Sequence, residues 1–172
     1  MNLAVYAICR NQAPYAARWA ASMSEADGLY VLDAGSADGC PELLRDLGVR
    51  VSPYSADPGD ESALRNAALA LVPEDTEICV FTRLDQLFSP GWRALIRQCW
   101  LPWTQQIYCS GTRYSCPPGR SPLLEPLQCI HARRDFLWQG PEGPTYTGSY
   151  NPAVVYIPEL QLIRLPIPPG PQ

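Results

Sequence analysis

The sequence predicts an α/β fold of three layers, with helices on both faces of a mostly parallel central sheet. Three observations carry this. Short, continuous apolar runs recur through the first hundred residues. Each is followed by a segment with helical spacing of its apolar side chains, and Gly or Pro closes most of those segments. Strands alternating with helices build a mostly parallel sheet, and strands covered on both faces read as unbroken apolar runs.

Leu3 to Cys9 is the first such run. Ala13 to Met23 follows at helical spacing. Pro14 sits in the first turn, where a missing N–H costs nothing, and Trp19 and Met23 are four apart on one face. Gly28 ends that unit. Leu29 to Leu32 is the second strand, and Asp33 to Gly39 is a polar turn. Pro41 to Leu47 is predicted helical and stopped by Gly48, before a short strand at Val49 to Val51. A loop with Pro53, Pro58 and Gly59 leads into an Ala/Leu-rich helix from Glu61 to Leu71. Ile78 to Leu84 is the most hydrophobic strand, Pro90-Gly91 breaks the chain, and Trp92 to Trp100 is again helical.

Beyond residue 100 the 19 prolines of the chain become frequent, and Ile107–Thr112, Leu127–Ala132 and Ala153–Ile157 are the strand candidates. They are predicted to extend the same sheet by mixed or antiparallel pairing. The Pro-rich tail 166–172 can form neither helix nor inner strand. One domain is therefore expected over residues 1–165.

At 172 residues and 47% hydrophobic content, the chain can bury a full core. A net charge of −4 leaves no broad basic field, so nucleic acid is not an expected partner. All 13 basic residues are Arg, which excludes Schiff-base or Lys-base chemistry. The 7 cysteines form no Cys-x-x-Cys and only 1 His is present, a composition unsuited to a zinc site. Cys9 and Cys79, inside apolar strands, read as small core residues. No apolar run is long enough for a membrane span and the start has no basic n-region, so a reduced, cytoplasmic setting is expected.

Several motifs fall in a recognisable order. They are Ile8-Cys9-Arg10-Asn11-Gln12, Val31-Leu32-Asp33-Ala34-Gly35-Ser36-Ala37-Asp38-Gly39, Asp60-Glu61-Ser62-Ala63-Leu64-Arg65-Asn66, Val72-Pro73-Glu74-Asp75 and Pro90-Gly91-Trp92-Arg93. Over roughly residues 1–100 this set resembles the family 2 glycosyltransferases, which have the GT-A fold. A fainter match runs from Ile130-His131-Ala132-Arg133 to Trp138. The resemblance implies a nucleotide-binding half over 1–100 and an acceptor-side half over 101–165. It implies binding of a nucleotide-diphosphate sugar through Arg10, Asn11, Asp33, Asp60, Arg65 and Asp85. It also implies inverting transfer to an acceptor hydroxyl, whose identity the sequence leaves open.

The chain departs from the family pattern at three places. Where the family carries Asp-x-Asp to hold manganese or magnesium on a diphosphate, this chain has Arg83-Leu84-Asp85, and Gln86 stands where a further acidic residue is usual. Where close relatives read Pro-Val-His-Glu, it has Pro141-Glu142-Gly143-Pro144. Where a further His can complete the metal site near the end, it has Arg164-Leu165-Pro166. Asp85 is thus the one carboxylate left for a metal, since arginine cannot ligate one. Arg83 either neutralises the diphosphate itself or pairs with Asp85 and leaves the site without catalysis. Glu142 is the nearest carboxylate to serve as the base, with Glu125 and Asp135 as the alternatives. Without any family, Asp33 reads as a turn cap, Asp60 as a helix cap, Arg65 as a surface pair, and His131 as a structural hydrogen-bonder. A non-catalytic module that binds a sugar, a nucleotide or another protein, or that self-associates, is the alternative.

Overall fold

The computed structural model describes residues 1–55, 60–112, 124–139, 144–146 and 154–165, with backbone alone at 112, 124–128 and 144–146. Glu142 and the tail 166–172 lie outside the described residues. The elements follow in the order β1 (Leu3–Cys9), α1 (Ala13–Met23), β2 (Gly28–Asp33), α2 (Cys40–Asp46), β3 (Arg50–Pro53), α3 (Glu61–Ala70), β4 (Ile78–Arg83), β5 (Gln86–Phe88), α4 (Trp92–Cys99), β6 (Gln106–Thr112), β7 (Leu124–Ala132), β8 (Phe136–Trp138), β9 (Pro144–Tyr146) and β10 (Val154–Arg164). The alternation expected over the first hundred residues is present. The short strands β5, β8 and β9 were not expected, because three residues show no period.

Eight strands form one sheet in the order β3-β2-β1-β4-β7-β6-β10-β5. β3, β2, β1 and β4 are parallel neighbours. β7 is antiparallel to both β4 and β6, β10 is parallel to β6, and β5 is antiparallel to β10. The sheet is therefore mixed, parallel from β3 to β4 and largely antiparallel beyond, in line with a mostly parallel sheet extended by mixed or antiparallel pairing after residue 100. The reason is connection length. A parallel neighbour needs a crossover, usually helical, and no helix follows α4 among the described residues.

β1 lies between two layers, and its side chains alternate between them as the strand period requires. Leu3, Val5, Ala7 and Cys9 join a core with Trp19, Met23, Leu44, Trp92 and Ile96, from α1, α2 and α4. Ala4 and Tyr6 join a second core with Leu64 and Ala68 of α3 and with Phe136 and Trp138 of β8. Three layers result, one with three helices and the other with α3 and the β8–β9 hairpin.

The helices that frame the site are anchored by specific polar contacts. In α1, Ala16, Trp19, Ala20 and Met23 form one buried stripe, and the Trp19 indole N–H donates to Thr82 Oγ1 of β4 at 2.9 Å. Full burial of a side chain such as Met23 contributes roughly 1.5–3 kcal/mol. α4 begins after Gly91, whose φ of 88° suits glycine. Its first N–H groups are accepted by Glu25, from Gly91 at 2.6 Å and from Arg93 at 3.2 Å. A carboxylate from the end of α1 thus caps α4 across the chain.

Candidate functional site

Chain order reverses around β1. The chain moves from β1 to β2 and β3 on one side, then returns to the other side of β1 as β4. In open α/β sheets the crevice beyond the carboxyl ends of such strands is where ligands bind. Three turns meet at that edge: Arg10–Gln12 after β1, Ala34–Gly39 after β2 and Leu84–Asp85 after β4. Strand register sets their spacing. Asp33 pairs with Cys9, and Arg83 with Ile8. Asp33 and Arg83 are therefore two strand spacings apart, about 10 Å.

The first two turns are tied together. Asn11 has φ 53°, a left-handed conformation that Asn tolerates. Its Oδ1 accepts from Ala37 N at 2.8 Å, and its own N–H donates to Ser36 Oγ at 3.0 Å. Asp38 accepts from Ala13 N at 2.8 Å and from Cys40 N at 3.1 Å, capping α1 and α2 at once. Asp33 Oδ1 accepts from Ser36 N at 3.0 Å and from the Cys9 thiol at 3.4 Å. The Cys9–Cys40 thiol contact, then burial, push the Cys9 thiol up, so it stays protonated as the donor. Asp33 is thus the turn cap that its bare sequence suggests. Arg10 is exposed beside it.

Asp60 is the N-cap of α3, accepting from Ser62 N at 2.9 Å and Ala63 N at 3.2 Å. It does not orient Arg65, which pairs with Glu61 one turn before. The Arg65 guanidinium lies 5.1 Å from the Phe81 ring and 4.7 Å from the Trp138 ring, an aromatic seat that holds it by cation–π attraction. Phe81 and Arg83 alternate to the same face of β4, so the Arg65 seat adjoins the Arg83 end of that strand.

Asp85 carries the densest electrostatics at this edge. Its side chain is only 8% exposed. Oδ1 accepts from Arg83 Nε at 3.1 Å and Oδ2 from Arg164 Nε at 2.9 Å. The two arginine side chains are about half exposed, Arg83 54% and Arg164 45%. Backbone geometry fixes this trio. Arg83 N–H donates to Gln86 Oε1 at 2.9 Å across the turn, and Leu165 N–H donates to the Asp85 carbonyl at 2.6 Å. Arg164 pairs with Gln86 in the β10–β5 ladder, which sets it beside Asp85. The sequence marked Arg164 only as the occupant of a position where a His is usual, and no local pattern ties it to Asp85.

This donor set does not suit a divalent cation. Manganese or magnesium needs several hard oxygen ligands. Both Asp85 oxygens already accept from guanidinium groups, whose charge repels a cation. Among the described residues no group of three or more His, Cys, Asp or Glu comes together.

His131 lies at the far side of β4, inside the second core. Its Nδ1 faces the Ala132 carbonyl at 2.8 Å, so that nitrogen carries the proton and Nε2 accepts from the Tyr6 hydroxyl at 2.8 Å. Tyr6 oxygen in turn accepts from the Trp138 indole at 2.8 Å. Burial pushes the His131 pKa down to about 3, so the ring is neutral and structural. A cavity of about 880 Å³ opens at the opposite, amino end of β1 and β4, lined by Glu77, Trp100, Trp103, Arg133 and Asp135 among others. Asp135 therefore stands away from the carboxyl edge. No helix among the described residues is long and apolar enough to cross a membrane.

Strand order, layers and edge turns define a GT-A-like fold, the fold of nucleotide-diphospho-sugar transferases. Solved structures with this architecture include glucosyl-3-phosphoglycerate synthase from Mycobacterium tuberculosis in complex with Mn2+, UDP and glucosyl-3-phosphoglycerate. It is 22% identical, with a TM-score of 0.53, over 64% of this chain and 44% of that one. The same synthase with Mn2+ and UDP-glucose matches at 21% identity and a TM-score of 0.53, over 64% and 43% of the two chains. S. aureus TarS, as a 1–349 structure, matches 96% of this chain and 60% of its own, at 12% identity and a TM-score of 0.69. At these identities the likeness is one of fold, and the chain spans less than half the length of the synthase. No protein-family model and no curated protein matches the sequence.

Proposed function

We propose that this chain binds a nucleotide-diphosphate sugar in the crevice over the carboxyl ends of β1, β2 and β4, and transfers the sugar to an acceptor hydroxyl with inversion. The observation that carries this is the convergence of Arg10, Asn11, Asp33 and the Arg83–Asp85 turn on one edge of a GT-A-like sheet, at its point of chain reversal. Asp33 Oδ2 is suited to accept from a base imide or ribose hydroxyl. Arg10 is suited to a phosphate or base edge, and the Arg65 seat to the flank of the nucleotide. Neighbours of the same fold hold UDP or UDP-glucose with Mn2+.

In the proposed reaction the acceptor oxygen attacks the anomeric carbon as the carbon–oxygen bond to the diphosphate breaks. Negative charge develops on that leaving group, so the main catalytic need is positive charge beside it. Arg83 supplies this role in our proposal, and Glu142 takes the acceptor proton. A second reading is favoured by one observation: both oxygens of Asp85 are taken up by arginines, as in a binding module that has given up turnover.

Calorimetric titration with a panel of nucleotide-diphosphate sugars, paired with an assay for released nucleoside diphosphate, tests both. Binding with slow release of nucleoside diphosphate supports the transferase. Binding with no release in the presence of candidate acceptors supports the module. No binding of any donor would sink both.

A further inference from the structure

We infer that Arg83 and Arg164, held apart by Asp85, form a diphosphate-binding site that works without a metal ion. The inference rests on the proposed placement of the donor's diphosphate at this edge, and names what grips it. Each guanidinium uses its Nε on a different oxygen of Asp85. Among the described residues neither side chain makes another hydrogen bond. The terminal Nη groups of both arginines therefore remain as donors, on side chains about half exposed. The trio carries one negative and two positive charges. The surplus is positive and fixed in position before any ligand arrives.

That arrangement fits a compact polyanion. A guanidinium presents planar N–H pairs that match phosphate oxygens, and such charge-assisted bonds are the strong ones. Orienting two long side chains normally costs rotamer entropy, and Asp85 has already met much of that cost. A dication at the same place would have to displace both arginines from Asp85 and then face their charge. The chemistry that a cation supplies to a diphosphate elsewhere, neutralising the leaving group, is supplied here by the two guanidinium groups.

The test uses the full chain and inorganic pyrophosphate as the probe, titrated calorimetrically in EDTA and again with manganese. Arg83→Gln, Arg164→Gln and the distant surface control Arg45→Gln are compared, with circular dichroism confirming their folds. Pyrophosphate is expected to bind in EDTA, and each of the first two substitutions to weaken it by about tenfold, the loss of one charge-assisted contact pair. Arg45→Gln should leave it unchanged, and manganese should not tighten it. Should Arg164→Gln fail to fold, Arg164→Lys keeps the charge without the planar fork and is expected to weaken binding as well. The proposal is overturned by absence of pyrophosphate binding, by a strict need for manganese, or by equal losses in all three variants. A nucleotide-sugar arm separates the two ideas. Donor binding that needs manganese and ignores Arg164 removes this site while the donor reading stands. Pyrophosphate binding that depends on Arg164, with no donor binding, keeps the site and removes that reading.

Discussion

His131 shows how a single residue takes its role from its surroundings. Stacked on Phe136 at 3.4 Å and bonded at both nitrogens, it has no means of accepting a further proton without losing the Tyr6 hydroxyl. Its folded pKa of about 3 lies below the ordinary 6.5, so between those values the unfolded chain binds more protons than the folded one. Stability therefore rises with pH across that window and falls as acid is added, by up to about 1.4 kcal/mol per pH unit. Urea unfolding between about pH 7 and 5 should show this slope in the parent chain, and a His131→Gln variant should lack it. An equal slope in both would remove the assignment. Asp60 is a simpler case. Its carboxylate caps two N–H groups, and Asp60→Ala is expected to cost about 1 kcal/mol in the same measurement.

At the scale of elements, β10 decides whether the arginine pair exists. It runs parallel to β6, with Ile157 beside Cys109 and then Gln161 beside Ser110, so residues 158–160 form a bulge. Pro158 has no N–H to give to a ladder, and a bulge is where a strand tolerates that. Leu160, 1% exposed, anchors the bulge in the core. Pairing then resumes so that Arg164 meets Gln86 and Leu165 meets Asp85. Shifting a strand by one residue moves its side chains to the other face. Deleting Glu159 should therefore abolish pyrophosphate binding and lower stability together, while Glu159→Ala, of unchanged length, should retain both by calorimetry and thermal melting. Full binding in the deletion variant would contradict the ladder's role. The α4 cap is tested in the same way. Glu25→Gln removes a charge from a helix start and is expected to cost about 1 kcal/mol in urea unfolding, with α4 otherwise intact.

For the molecule as a whole, two halves of different texture build one sheet. The first half supplies the parallel strands and edge turns, and the second supplies antiparallel strands that return β10 to the end of β4. The first half was legible because each βα unit is local. Apolar runs, helical spacing and Gly or Pro stops lie within a few residues of one another, and the elements they announced stand at Leu3–Cys9, Ala13–Met23 and Ile78–Arg83 within a residue of expectation. The capping turns at Asp33 and Asp60 were equally local. Much of the second half was not, because strands of three residues carry no period and Pro-rich segments leave their pairing partners open.

The candidate site divides along the same line. The ends of β1, β2 and β4, where Arg10, Asn11, Asp33 and Asp85 stand, were legible because strand ends follow from local apolar runs within βα units. Tertiary structure alone set Arg65 between Phe81 and Trp138, Tyr6 against a histidine 125 residues away, and Arg164 on an aspartate 79 residues before it. Those contacts depend on ladder register and on a bulge, which are properties of strands paired across the sheet. The lone carboxylate of Arg83-Leu84-Asp85 read as a weakened metal motif along the chain. In three dimensions it is a carboxylate bonded by two arginines, because the strand that delivers the second arginine comes from the far end of the sequence.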